Sequence, residues 1–280
     1  MRIANLSGRL TLLKGGRAVD VHVASGGRFS SDPQAVYERW EEFRAWADAG
    51  TVPGDPYDPA GLGAPAPAPR QLFAIGLNYR EHVDEAGFSQ PEGMPPVFTK
   101  FASSITGPVT DVVLPEGGHT DWEVELVVVI GRAARRVTET EAWDHVAGLT
   151  IGQDLSERTL QMSGPAPQFG LAKSFPGFSP MGPCLVTPDE FDDPNDLELR
   201  CSINYEEVQH GSTRNLIFPV PALVSKLSEV LELYPGDVIY TGTPSGVGLG
   251  RDPQRWLAPG DELISTIEGI GELRQRFVAE

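Results

Sequence analysis

A β-rich α+β fold is predicted from three features of the chain. Its 31 glycines and 25 prolines in 280 residues provide for many turns. Its apolar residues fall mostly in short alternating or continuous runs bounded by Gly, Pro, Asn and Asp. Long helical periodicity is confined to residues 32–50 and 220–232. The length suits one large domain, or a large and a small one, and either can bury a core. With 40% hydrophobic and 22% charged residues the composition is that of a globular protein. No apolar run approaches a membrane span, and MRIANLSGRLTLLKGG lacks an apolar core followed by a small-residue cleavage site, so a cytoplasmic protein without membrane contact is expected. A formal net charge of −17 without Lys/Arg clusters argues against nucleic acid as a partner. Cys184 and Cys201 form neither a CxxC pair nor a disulfide framework and read as reduced packing thiols.

Taken in order, RLTLLK and AVDVHVA flank Gly15-Gly16 and predict a hairpin, with His22 on the strand surface. Asp32-Pro33 opens a helix that carries Val36, Trp40, Phe43 and Ala47 on one side and stops at Gly50. Residues 51–70 hold six prolines and read as a linker, placing the boundary of a small N-terminal α/β domain at Arg70. LFAIGLNY is a buried strand, after which REHVDEAG begins a short helix or loop and the Gly/Pro-rich FSQPEGMPP suits a lid. VFTKFASS is strand-like and contains Lys100; GPVTDVVLPEGGHT reads as a loop with His119 facing solvent. After Asp121–Gly131, Thr138 and Glu141 make a capping box for a short helix that ends at Gly148 with His145 in its last turn. Leu149–Gln153 is a strand that delivers Asp154, and 156–161 turns helical. Residues 197–217 form a hairpin with His210 at its turn, Val220–Glu232 is an amphipathic helix stopped by Pro235-Gly236, and two strands close the chain about Glu268–Gly271.

The candidate site starts from DWEVELVVVIG. Side chains two apart in a strand share a face, so Glu123 and Glu125 point the same way at the mouth of a core-forming run. Buried side by side they would repel and take up protons unless a cation sat between them; on an exposed strand end they would simply be solvated. Asp154 is a helix cap, a third acid, or both. His82 and Glu85, three residues apart, can pair as an oriented general base or stand as a surface pair. Lys173, among phenylalanines, either snorkels to water or faces the acids. The glycines at 242, 246, 248 and 250 lack the Gly-Lys-Ser/Thr of a P-loop, but such a loop, with the Thr243 hydroxyl, could grip a small carboxylate. Glu123, Glu125 and Asp154 make an all-oxygen set suited to Mg²⁺, with Mn²⁺ or Ca²⁺ admissible, rather than to Zn²⁺.

At this point the chain resembles the fumarylacetoacetate hydrolase family, in the shorter bacterial form that includes acylpyruvate hydrolases and hydroxyhepta-diene-dioate isomerase-like proteins. The matching segments are GLNYREHVDEAG, FTKFASSITGP, DWEVELVVVIG, GQDLSERTLQ, LAKSFPGFSPMGP and GDVIYTGTPSGVG, in that order across residues 70–280. The resemblance implies a mixed β-roll catalytic domain over 71–280, a homodimer, and Glu123, Glu125 and Asp154 as ligands of Mg²⁺ or Mn²⁺. It implies His82 with Glu85 as the catalytic dyad on a lid, Lys173 as the group that meets an enolate, and Gln161, Thr243 and Lys100 on the substrate. The implied reaction is hydrolysis of a carbon–carbon bond in an acylpyruvate-like 1,3-diketo acid. Decarboxylation of an oxaloacetate-like acid, isomerisation of an enol or diene-dioate, and a non-catalytic metal- or ligand-binding protein are the alternatives.

Overall fold

The computed structural model describes residues 1–50, 53–81 and 91–280. Three antiparallel strands open it: β1 (Arg2–Leu6), β2 (Arg9–Lys14) and β3 (Arg17–Asp20). Their turns, Ser7-Gly8 and Gly15-Gly16, all have positive φ, the conformation for which the predicted glycine pair is suited. The predicted strand through residue 24 is cut short, because the Asp20 carboxylate accepts from the Val23 amide and starts a helical turn, Val21–Ala24. His22 therefore stands exposed on that turn, not on a strand. The helix expected over 32–50 forms in two pieces, a 3₁₀ segment Gln34–Arg39 and an α-helix Trp40–Asp48, with Asp32 accepting from the Gln34 amide. The described part of the proline-rich segment lies against the protein: β4 (Leu62–Gly63) pairs with β1, and Ala64 and Ala66 are buried.

The remaining strands are β5 (Leu72–Ile75), β6 (Val97–Thr99), β7 (Ile105–Thr106), β8 (Val109–Leu114), β9 (Thr120–Asp121), β10 (Val124–Ile130), β11 (Val146–Gln153), β12 (Ser156–Glu157), β13 (Ser179–Val186), β14 (Glu198–Ile203), β15 (Glu206–Ser212), β16 (Val238–Tyr240), β17 (Glu262–Ile267) and β18 (Gly271–Ala279). Three sequence readings are corrected here. VTDVVL, read as loop, is strand β8: Val112 and Leu114 alternate inward, and the segment pairs in parallel with β18, a partner more than 150 residues distant. The capped helix after Thr138 is a single 3₁₀ turn, Ala142–His145, so β11 starts at Val146, before Gly148. The β14–β15 hairpin turns at Asn204-Tyr205, both at positive φ, which leaves His210 within β15 opposite Arg200. The late helix forms over Val220–Val230 as expected.

One sheet runs in the order β3-β2-β1-β13-β11-β10-β16-β5-β6, with β4 and β7 attached, and a five-stranded sheet runs β15-β14-β17-β18-β8. The N-terminal strands thus continue the larger sheet through the antiparallel β1–β13 pair. β10 lies inside that sheet and is covered on both faces. Leu126, Val128 and Ile130 join the core shared with the five-stranded sheet, which contains Leu199, Ile203, Leu263 and Phe277. Val127 and Val129 face a second core built from Leu10, Val36, Tyr37, Trp40 and Phe43 of the N-terminal segment. This two-sided burial explains the unbroken VVVI, each side chain contributing roughly 1.5–3 kcal/mol. Among the described residues no helix is long and apolar enough to cross a membrane. Cys184 and Cys201 are free and buried, and burial pushes the Cys201 thiol up to about 12, consistent with packing roles.

Gly152 of β11 sits opposite Glu125, where an added Cβ would meet Tyr240 Cε1 at 2.4 Å and Val127 Cγ2 at 2.5 Å. Neither neighbour lies at the end of a flexible chain, so Gly152→Ala is expected to destabilise the fold by about 1–3 kcal/mol. Calorimetric unfolding checks this, and an unchanged midpoint would contradict the packing described.

Candidate metal centre and active site

The site lies where β10 begins and β11 ends. The antiparallel register sets Val124 opposite Gln153, so Glu123 and Asp154 leave the ladder side by side, joined by Asp154 N–H donating to Glu123 O at 2.9 Å. Side-chain amides take over where the ladder stops: Gln153 Oε1 accepts from Glu123 N at 2.8 Å, and Gln209 Oε1 accepts from Val124 N at 3.0 Å. Glu123, Glu125 and Asp154 are all buried, each offering an oxygen within 4.8 Å of the others. The solvated-strand-end alternative is thereby removed.

Cations surround this set. Lys173 Nζ donates to Glu123 Oε2 and to Asp154 Oδ2, both at 2.6 Å, so it faces the acids and does not snorkel. Lys100 Nζ donates to Asp154 Oδ1 and, at 3.0 Å, to Phe178 O. Arg158 Nη2 reaches Glu123 Oε1 at 2.6 Å. Among the described residues Glu125 pairs with no cationic side chain; its Oε2 accepts from Gly242 N at 2.7 Å. Burial, then repulsion from Asp154 and Glu123, drives the Glu125 carboxyl well above the ordinary carboxylate range. The two lysines diverge. Burial lowers Lys100, with Asp154 only partly opposing; at Lys173 burial pulls down too, but Asp154 and Glu123 together outweigh it and raise the ammonium.

Of the residues singled out from sequence, the fold brings together Glu123, Glu125, Asp154, Lys173, Lys100 and, through Arg158, Gln161. Gln161 Oε1 accepts from Arg158 Nη1 at 2.9 Å. Thr243 is buried nearby, but its hydroxyl donates to Val124 O at 2.9 Å and accepts from Gln209 Nε2 at 2.8 Å, tying the 242–250 loop to β10. His82 and Glu85 lie outside the described residues. His119, read as solvent-facing, is exposed, its Nδ1 meeting Thr159 Oγ1. Sequence reasoning passed over Arg158 and Asp121. Asp121 shares the i, i+2, i+4 alternation of the two glutamates, and Arg158 stands one helical turn before Gln161, so both signals were present.

Three clustered carboxylates, with no Cys or His completing the set among the described residues, match a hard divalent cation that takes oxygen ligands. The profile of the fumarylacetoacetate (FAA) hydrolase C-terminal domain matches residues 71–278. The chain belongs to the fumarylacetoacetate hydrolase family. It is 43% identical over 216 residues to the human mitochondrial oxaloacetate tautomerase FAHD2A, covering 77% of this chain and 68% of that protein. It is also 43% identical over 232 residues to the 2,4-didehydro-3-deoxy-L-rhamnonate hydrolase of Sphingomonas sp. (strain SKA58), covering 82% and 80% respectively. A Mycobacterium smegmatis crystal structure carrying the provisional name HpcE superposes with a TM-score of 0.96 at 58% identity over 100% of this chain and 99% of that one. The maleylpyruvate hydrolase of Sphingobium sp. SYK-6, in complex with manganese(II) and pyruvate, superposes at 0.81 with 28% identity over 100% and 99%.

Glu125 gives the centre a pH dependence. With its folded pKa raised, the protonated carboxyl favours the metal-free fold fully below the unfolded carboxylate pKa, and that contribution fades as pH rises through the raised value. A divalent cation held by these three carboxylates would replace this proton, so Mn²⁺ or Mg²⁺ is expected to bind with proton release and to raise the unfolding midpoint more at pH 8 than at pH 6. Titration calorimetry in buffers of different ionisation enthalpy measures the released proton; a binding enthalpy independent of buffer would refute the coupling.

Proposed function

We propose that this chain is a divalent-metal-dependent enzyme that hydrolyses an acylpyruvate-like 1,3-diketo acid at the bond between the distal carbonyl carbon and the methylene next to it. The observation that carries this reading is the buried Glu123–Glu125–Asp154 set with the Lys173 ammonium held between two of its members. Glu123, Glu125 and Asp154 would hold Mg²⁺ or Mn²⁺, which when bound supplies Lewis acidity toward the oxygens of the keto acid. His82, oriented by Glu85, takes a proton from water, and the water oxygen bonds to the distal carbonyl carbon. The carbon–carbon bond then breaks with its electron pair moving to the pyruvyl side, giving a carboxylic acid and an enolate that a returned proton converts to pyruvate. Lys173, kept charged by its two acidic neighbours, presents fixed positive charge where the enolate develops. Gln161 and Lys100 serve as substrate contacts, and the 242–250 loop, tied to β10 by the Thr243 hydroxyl, offers backbone N–H groups to the substrate carboxylate. Residues 71–280 carry this chemistry, and residues 1–70 form the smaller domain, which extends the larger sheet with β1–β4 and packs its helix on the face of β10, in a cytoplasmic homodimer.

A second reading is isomerisation between keto and enol forms, favoured by the 43% identity to a human oxaloacetate tautomerase. It uses the same enolate and omits attack by water. The deciding experiment incubates chelator-stripped protein with acetylpyruvate and with oxaloacetate, with and without Mg²⁺ or Mn²⁺, and follows products by mass and the keto–enol interconversion rate by ultraviolet absorbance. Metal-dependent release of pyruvate and acetate supports the hydrolase. An isomer of unchanged mass selects the second reading, carbon dioxide selects decarboxylation, and intact substrate with retained metal binding leaves a binding protein. Lys173→Met is expected to lower kcat roughly 10²–10³-fold. It should bind Mn²⁺ no more weakly than the parent, since a competing cation has been removed; unimpaired turnover would remove Lys173 from the scheme.

A further inference from the structure

Asp121 is fully buried, and its carboxylate gathers donors from three parts of the chain. Oδ1 accepts from Trp122 N at 2.9 Å and Gly248 N at 2.6 Å; Oδ2 accepts from Leu249 N at 3.0 Å and from Arg158 Nε at 2.9 Å, with Arg158 Nη2 in ion-pair contact at 2.8 Å. Close approach is built in at Gly248, where a Cβ would meet Arg255 O at 2.0 Å and Asp121 Oδ1 at 2.8 Å. Arg158 is therefore held along one edge, and its remaining donors are aimed: Nη2 also reaches Glu123 Oε1, and Nη1 reaches Gln161 Oε1 at 2.9 Å. A guanidinium donates only, so it dictates which end of a carboxamide faces it. The Gln161 oxygen must turn toward Arg158, and the Nε2 amide turns away. Among the described residues that nitrogen donates to no acceptor; Gln161 keeps an exposure of only 3%, and its amide nitrogen is not one of the sealed-off unpartnered atoms, so it still reaches open space.

We propose that Asp121 is a positioning residue: through Arg158 it locks the Gln161 carboxamide so that its Nε2–H₂ is presented as a fixed hydrogen-bond donor to an oxygen of the substrate. Gln161 is then a donor and never a base or acceptor, and the atom it meets is a carbonyl, carboxylate or enolate oxygen. Asp121 also links the 246–250 loop to the acids, since the carboxylate that holds Arg158 caps Gly248 and Leu249. The assignment of an oxygen of a keto acid rests on the proposed function; the locking of the carboxamide does not.

The test has one arm that needs no substrate. In ¹⁵N–¹H spectra the Gln161 side-chain amide signal is identified by its loss in Gln161→Ala. Asp121→Asn keeps the shape but loses charge and one acceptor, and is expected to displace that signal; Arg158→Met, which leaves Asp121 on its three backbone donors, should displace it likewise. A Gln161 signal unmoved in either folded variant overturns the proposal. In the second arm, steady-state rates on acetylpyruvate with Mn²⁺ should show Asp121→Asn reducing kcat roughly 10–100-fold with KM changed much less. The Asp121→Asn/Gln161→Ala double variant should be no slower than Gln161→Ala alone; losses that multiply overturn the proposal. If the parent protein does not turn over acetylpyruvate, the proposed function falls, and the spectra alone decide the role of Asp121.

Discussion

Four carboxylates, those of Asp121, Glu123, Glu125 and Asp154, are forced together in the interior, and the rest of the site is arranged to make that tolerable. Isolated charges of one sign cannot be buried at this spacing without protonation or counterions. Arg158, Lys173 and Lys100 bring three positive charges, each delivered by a different segment: the short helix Arg158–Gln161, the end of the helix Phe169–Ala172, and the residue after β6. Pairs this deeply buried owe their existence to geometry more than to net stabilisation, since desolvation offsets much of the Coulombic gain. Removing a single member leaves an uncompensated charge, which is why the segments must arrive together.

That requirement explains the architecture around β10. A strand that carries two glutamates at its mouth needs an anchor strong enough to hold them under repulsion, and β10 has it in apolar cover on both faces. The N-terminal strands and the helix Trp40–Asp48 build the core that buries Val127 and Val129, on the same face of the strand as the two glutamates. Tyr240, in that second core, also forms the floor for Lys100, whose Nζ lies 5.7 Å from its ring centroid. The second core and the site thus share Tyr240.

Much of this was legible in the chain because it depends on local period. The parity of Glu123 and Glu125, the Gly15-Gly16 hairpin and the helix over 220–230 each follow from spacing alone. What was not legible depends on partners distant in sequence. β8 is a strand because β18 lies beside it, and its exposed Val109 and Val113 blur the alternation that would announce it. Lys173 among phenylalanines carries no local sign of which way it points; the 2.6 Å contacts to Glu123 and Asp154 come from residues 50 and 19 positions away. His210 was misplaced because Asn204-Tyr205, two non-glycine residues at positive φ, make a tighter turn than the NYEEVQHGS segment suggests. Arg158 was overlooked for a different reason: a single arginine in a polar helix usually faces water, and only the fold reveals that this one is buried against Asp121.

The balance of charge also bears on order of binding. Among the described residues the four acids outnumber the three cations by one, and the elevated pKa of Glu125 lets a proton make up the difference. Such a proton would bring the charges of these residues closer to balance, inside a protein whose formal charge is −17. An anionic keto acid approaching it gains little locally and is opposed at longer range. Exchange of the Glu125 proton for a divalent cation raises the local charge by one unit, in a low-dielectric setting where one unit weighs heavily. An anion is then attracted to the centre against the field of the surface. On the proposed function, the same carboxylate that favours a proton in the metal-free pocket would favour an order of binding: cation first, with loss of that proton, and carboxylate substrate second.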